Sequence, residues 1–426
     1  MSDISTMAAA AKIASRKMAV LDKDLKNNAL KQISEALTAS ADKIFEANRE
    51  DVRIATEQSL ETPLLKRLKF DEKKLKEVTD GITSLISLEE PVGKTLLHTT
   101  LDDGLELYRV TSPIGVIGVI FESRPDALVQ IASLCLKSSN AVFLKGGREA
   151  EKTNMVLAEI IYNSGVSAGL PEGWLHLITT REDVNAMLSL DKYIDLLIPR
   201  GSNAFVQYIM SNTLIPVMGH ADGVCHTYVS DDCDKDLARK VIIDAKTQYV
   251  SVCNATETLL LDESLKDSFL PEIAAALRDA GVEIHGDSSV ASILGCPEAD
   301  EWHHEYLDYK ISIKLVSGID EAIDHINTYG SGHTDAIITT SEEKAEKFMN
   351  SVDSGSVLVN CSTRFADGFR YGFGAEVGIS TSKLHARGPV GLEGLVSYKY
   401  KLYGNGHIVA DYSSGNKNFK HIRRIV

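Results

Sequence analysis

Apolar residues recur at three- and four-residue spacings through the first ninety positions, which predicts helices over residues 8–18, 25–39 and 41–56. Thr62-Pro63 reads as an N-cap with proline at the first helical position, and Asp71 reads as the cap of a helix over 72–85. Two short arms, 95–102 and 105–111, then flank Asp103-Gly104, a dipeptide favoured in type I′ hairpin turns. From Pro113 the period changes. Apolar runs of strand length at 115–121, 141–145, 175–179 and 194–199 alternate with helical stretches at 126–136, 149–164 and 202–210. A second series has strands at 256–261, 282–285, 311–316, 336–339 and 356–360, with helices at 265–280, 319–327 and 342–349. Strand, helix, strand at this spacing predicts an α/β chain of two doubly wound domains, joined between Gly219 and Ser251. The tail from Gly391 has β-prone arms such as 397–403. Neither it nor the polar hairpin has an apolar face wide enough to bury alone, so the two are expected to pair between subunits.

Charge narrows the partners. The net charge of −15 argues against nucleic acid or an anionic membrane surface, both of which need clustered cations. No apolar run is long enough to span a bilayer, and the first seventeen residues lack the charged segment and apolar core of a signal peptide. Six cysteines without a CxxC pair fit a reducing compartment, so a cytoplasmic location is expected.

Three stretches carry candidate chemistry. Lys145-Gly146-Gly147 and Arg200-Gly201-Ser202 sit at strand ends just before helices, where backbone N–H groups favour an anion. Each alone is an ordinary turn; two in one α/β domain, each with a cation, point to a dinucleotide. Cys253 lies between the helix ending near Gln248 and the strand starting near Thr256, with polar flanks. A thiolate there suits a nucleophile, with Asn254 or backbone N–H groups near a developing oxyanion. Cys135 reads as core, and the spacing of Cys225 and Cys233 with His220 and His226 matches no zinc pattern, so no metal is expected. Residues 364–378, rich in glycine and aromatics, place Arg364 and Arg370 on a loop suited to binding a carboxylate or phosphate.

Long segments resemble one family. Phe121-Glu122-Ser123-Arg124-Pro125-Asp126, Leu144-Lys145-Gly146-Gly147, Pro199-Arg200-Gly201-Ser202-Asn203 and Cys253-Asn254-Ala255-Thr256-Glu257-Thr258 are similar to the γ-glutamyl phosphate reductases, within the aldehyde dehydrogenase superfamily. So are Gly219-His220-Ala221-Asp222-Gly223 and Leu384-His385-Ala386-Arg387-Gly388-Pro389. The resemblance covers nearly the whole chain and departs from the pattern at Val250-Ser251-Val252, where proline and small residues are expected. It implies an aldehyde-dehydrogenase-like fold with a β-hairpin oligomerisation flap. The dinucleotide-binding domain takes 1–94 and 112–248, the catalytic domain 249–390, and the flap 95–111 and 391–426.

The resemblance also implies NADPH-dependent reduction of L-glutamyl 5-phosphate to L-glutamate 5-semialdehyde and phosphate, in proline biosynthesis. Cys253 falls on the nucleophile, Lys145 on the lysine at the adenosine ribose or its 2′-phosphate, and Arg200-Gly201-Ser202 on a turn that approaches the cofactor. Arg124, Arg364 and Arg370 are candidates for the substrate anions, and Glu376 or Asp367 for its ammonium group. A homo-oligomer is implied, with glutamate 5-kinase as a conceivable partner. An oxidising or CoA-acylating aldehyde dehydrogenase stays open as the alternative. Hydrolytic relatives carry a water-activating glutamate in a Glu-x-Gly-Gly setting, where this chain has His220.

Overall fold

A computed structural model describes residues 3–122, 124–201, 203–219 and 222–426. Ser202, expected at the cofactor turn, and His220 lie outside the described residues. The chain opens with helices Asp3–Met18, Lys23–Ala39, Ala41–Glu57, Thr62–Leu68 and Glu72–Ser87. Asp71 caps the last of these, its carboxylate accepting from the Lys74 N–H. Glu61, not Thr62, precedes the short fourth helix. All of these helices but the fourth share one core with a four-stranded parallel sheet, ordered Leu175–Ile178, Ala141–Lys145, Val116–Ile120, Leu196–Pro199. Its four strands coincide with the predicted runs to within two residues. Buried on both faces, such strands read as unbroken apolar stretches.

The second sheet has six parallel strands, ordered Ser356–Val359, Thr334–Ile338, Cys225–Val229, Thr256–Asp262, Lys310–Val316, Glu283–Gly286. Alternate residues serve opposite faces. Leu259 and Leu261 join the core under helices Lys235–Thr247 and Leu270–Asp279, while Leu260 joins the one under Ile319–Tyr329. The strand Cys225–Val229 corrects the expected boundary: residues 225–248 belong to this sheet, so the crossing between sheets comes before Cys225 and not at 248/249. Parallel register to Thr334–Ile338 and Thr256–Asp262 leaves that strand no place in the first sheet.

A third, four-stranded sheet pairs Thr95–Asp102 and Leu105–Pro113 with Val396–Tyr403 and Ile422–Arg424. Two expectations change here. The C-terminal arms, expected to meet the hairpin between subunits, pair with it within one chain. The Asp103-Gly104 turn is not type I′: Gly104 alone takes a positive φ (76°), and the register shifts between Thr100 and Asp102, which makes a bulged turn.

Candidate active site

Ile120, at the end of the central strand, lies opposite Lys145 on one side and Pro199 on the other. The chain runs outward through 141–145 to 175–178, then returns to 196–199 on the far side of 116–120. The switch point of the sheet therefore falls between 116–120 and 196–199, where a ligand crevice is expected. Strands lie about 4.8 Å apart, so the glycine turns at 146–147 and 201 sit about 10 Å apart along one edge. A Cβ on Gly146 would meet the Asn154 side chain and, at 3.3 Å, the Phe121 ring; one on Gly201 would meet Glu122 and Phe205 at 3.1 Å. Both turns thus bring bare backbone close to the strand ends. The Lys145 ammonium donates to the Gly146 carbonyl (2.6 Å), and burial pulls its pKa below the ordinary lysine value. A half-desolvated cation over a glycine turn suits an anionic group, and these residues fit a dinucleotide.

Cys253 sits in the turn between helix Lys235–Thr247 and strand Thr256–Asp262. The turn is held from several sides. Cys225 Sγ donates to the Cys253 carbonyl (3.1 Å), Thr363 Oγ1 to the Asn254 carbonyl (2.7 Å), and Asn254 Nδ2 to the Ala366 carbonyl (2.9 Å). Gly223 packs so tightly against it that a Cβ there would overlap the Cys253 backbone. The thiol faces a cleft of about 640 Å³ lined by Arg124, Arg200, Glu305, Arg364, Asp367 and Glu376 among others. Burial, then the carboxylates of Glu305 and Glu376, push the Cys253 thiol up to about 12. The His333 ring is buried at the start of strand Thr334–Ile338 and brings Nε2 to 3.1 Å from Sγ.

Residues 1–292 and 311–395 match the aldehyde dehydrogenase family. The chain belongs to that family. Relatives include the γ-glutamyl phosphate reductase of Acetivibrio thermocellus, 61% identical over 420 residues that cover 98% of this chain and 97% of that protein. The γ-glutamyl phosphate reductase of Methanococcoides burtonii is 51% identical, over 96% of this chain and 94% of that protein. The crystal structure of γ-glutamyl phosphate reductase from Thermotoga maritima matches with a TM-score of 0.93 at 39% identity, covering 95% of this chain and 99% of that one. An acetylating aldehyde dehydrogenase from Geobacillus thermoglucosidasius shares the fold at a TM-score of 0.64 and 17% identity, over 95% of this chain and 97% of that one. The chain is accordingly an oxidoreductase of the aldehyde dehydrogenase family.

Within this aldehyde dehydrogenase, Cys253, Arg124, Arg364 and Glu376 share the cleft as the sequence led one to look for. Arg200, assigned to the cofactor turn, lines the same cleft beside the thiol. Burial and the nearby Arg124 charge depress its pKa, and Glu376 partly offsets them. Glu376 accepts from the Gly368 N–H (2.8 Å), and burial raises its pKa. Arg124 Nη2 reaches Asp126 (3.2 Å), and Arg364 Nε donates to Gln248 (3.0 Å). One assignment needs correction. Arg370 does not line the cleft; its Nη1 donates to the Arg364 carbonyl (2.8 Å) and so props the loop. Asn254 lines the cleft and spends one amide N–H on the Ala366 carbonyl.

Sequence reasoning missed Glu305 and His333. Glu305 accepts from Asn203 Nδ2 (3.1 Å) and reaches the cleft from an irregular segment with no periodicity to reveal it. His333 stands three residues before the predicted strand at 336–339 and one before the observed strand Thr334–Ile338. Only the parallel pairing of that strand with Cys225–Val229 carries it to the nucleophile. Among the described residues, no group of three or more His, Cys, Asp and Glu side chains is placed to hold a metal ion. No helix among them is long and apolar enough to cross a membrane.

Proposed function

We propose that this protein reduces L-glutamyl 5-phosphate to L-glutamate 5-semialdehyde and phosphate with NADPH, the second step of proline biosynthesis, through a thioester on Cys253. The observation that carries the reading is the composition of the cleft: one thiol with three arginines and three carboxylates among its lining residues. Such a substrate has a phosphate, an α-carboxylate and an α-ammonium group. Arg124, Arg200 and Arg364 suit its anions through charge-assisted hydrogen bonds, and Glu376 or Asp367 suits its ammonium.

Cys253 attacks the acyl carbon, the acyl C–O bond breaks, and phosphate leaves toward the guanidinium groups. The nicotinamide, when bound at the switch point, supplies the hydride that reduces the thioester. Lys145, Gly146, Gly147 and Gly201 would hold the dinucleotide, with Lys145 at its ribose or 2′-phosphate. The C–S bond then breaks, the carbonyl re-forms and the aldehyde leaves. Arg200 and Arg364 keep the reacting end in place and neutralise the phosphate as it departs.

Glu305 and Glu376 favour one second reading, a hydrolytic aldehyde dehydrogenase, because either carboxylate stands where it can activate water. A cleft can lack glutamate at position 220 and still hold a base. Semialdehyde oxidation with NADP⁺, with and without phosphate, separates the two. The reductase reading expects phosphate, or arsenate in its place, to be required, with a small residual rate in water alone. An equal rate in phosphate-free buffer would overturn it.

A further inference from the structure

A half-buried thiol with two carboxylates nearby does not readily lose its proton unaided. We propose that His333 is the general base for Cys253, taking the thiol proton at Nε2 as the sulfur attacks. The inference rests on the reading of Cys253 as nucleophile and adds the group that makes it one.

Geometry supplies the argument. Nε2 lies 3.1 Å from Sγ, inside hydrogen-bond range for sulfur. On the other side of the ring, Nδ1 meets Thr334 Oγ1 at 2.8 Å and Cys225 Sγ at 3.8 Å. With the proton on Nδ1 directed at the Thr334 hydroxyl, Nε2 presents its lone pair to the thiol. The ring is buried at the head of a central strand, which fixes its position. Its titratable surroundings are laid out by element. Cys225 and His226 come from the adjacent strand Cys225–Val229, and Asp335 from the ring's own strand. Asp335 is engaged by His226, through both backbone N–H and Nδ1, and by the Ser354 hydroxyl. From the cleft side, Glu305, Glu376 and Arg200 act on the thiol. Burial and the two carboxylates disfavour a bare thiolate. A base 3.1 Å from Sγ that takes the proton as the S–C bond forms avoids the isolated thiolate altogether.

The atoms balance. The Sγ–H proton passes to Nε2 while the S–C bond forms. It then leaves on the phosphate oxygen as the acyl C–O bond breaks, giving hydrogen phosphate and a thioester. After the hydride has been delivered, the C–S bond breaks and the thiolate departs. His333, reprotonated from solvent, returns a proton to Sγ.

The test is the rate of Cys253 alkylation by iodoacetamide as a function of pH, with the modified peptide followed by mass spectrometry in the full-length enzyme. Wild type is expected to react at neutral pH. His333→Asn is expected to react about 100-fold more slowly at pH ~7 and to need alkaline solution. A folded His333→Asn protein with the wild-type rate and profile would overturn the proposal. Thr334→Val keeps a β-branched residue in the strand and removes the Nδ1 acceptor. It is expected to slow alkylation several-fold, and an unchanged profile in that variant would count equally against His333, including where His333→Asn does not fold. Failure of the underlying reading looks different: Cys253 in wild type would react no faster than Cys361, and Cys253→Ser would keep its turnover.

Discussion

At the scale of single residues, one large perturbation in the catalytic half belongs to His325. His325 is buried against Trp302 and His226, with ring centroids at 5.2 and 5.5 Å. Burial, then the charges of His226 and Lys314, push its pKa from 6.5 down to about 3. The native state thus disfavours the protonated ring. Between pH ~6.5 and ~3 the unfolded chain binds the extra proton, and acidification through that window destabilises the fold by up to about 1.4 kcal/mol per pH unit from this site. Its Nε2 has no hydrogen-bond partner, so Phe in its place removes an unsatisfied polar atom and keeps the edge-to-face contacts. His325→Phe is expected to lose less in Tm than wild type between pH ~7 and ~5. Parallel Tm-against-pH curves for the two proteins would contradict the assignment.

At the scale of elements, the nucleophile turn depends on how closely the segment before strand Cys225–Val229 can approach it. A Cβ on Gly223 would overlap the carbonyl, Cα and Cβ of Cys253, and backbone cannot swing aside as a side chain can. Gly223→Ala is expected to displace the thiol, lowering kcat by about 10- to 100-fold while dinucleotide binding persists. A kcat within twofold of wild type would show that the turn tolerates the shift. This same segment marks the limit of what the sequence disclosed. The apolar runs at 115–121 and 141–145 announced strands because parallel strands buried on both faces carry few polar residues. Cys-His-Thr-Tyr-Val, the central strand at 225–229, did not, since its histidine and threonine are buried by hydrogen bonding to Asp335 and Thr256. Missing that strand misplaced the crossing between sheets. Cys253 and the arginines were legible from local flanks and from family resemblance. The His333 contact was not, because 80 residues separate it from the thiol and only strand order closes that distance.

At the scale of the whole molecule, the third sheet turns two distant segments into one platform. Val396–Tyr403 pairs with Leu105–Pro113 over eight registered positions, from Val396 opposite Pro113 to Tyr403 opposite Glu106. Alternation places Tyr398, Tyr400 and Leu402 on one face, and they remain 51%, 59% and 56% exposed. A row of three large side chains on an edge strand is expected to face another copy. Deleting residues 397–426 would not test this cleanly. It strips the partner from Leu105–Pro113 and leaves a bare strand edge that aggregates for reasons of its own. The paired variant Tyr400→Glu with Leu402→Glu leaves the backbone ladder intact and puts charge on the face that carries Tyr398. Light scattering after size exclusion is expected to show a smaller particle than wild type, with Tm changed only as far as lost association requires. A particle of wild-type mass would mean that the copies meet through another surface. A wild type that is already a monomer would remove the oligomer from the account altogether.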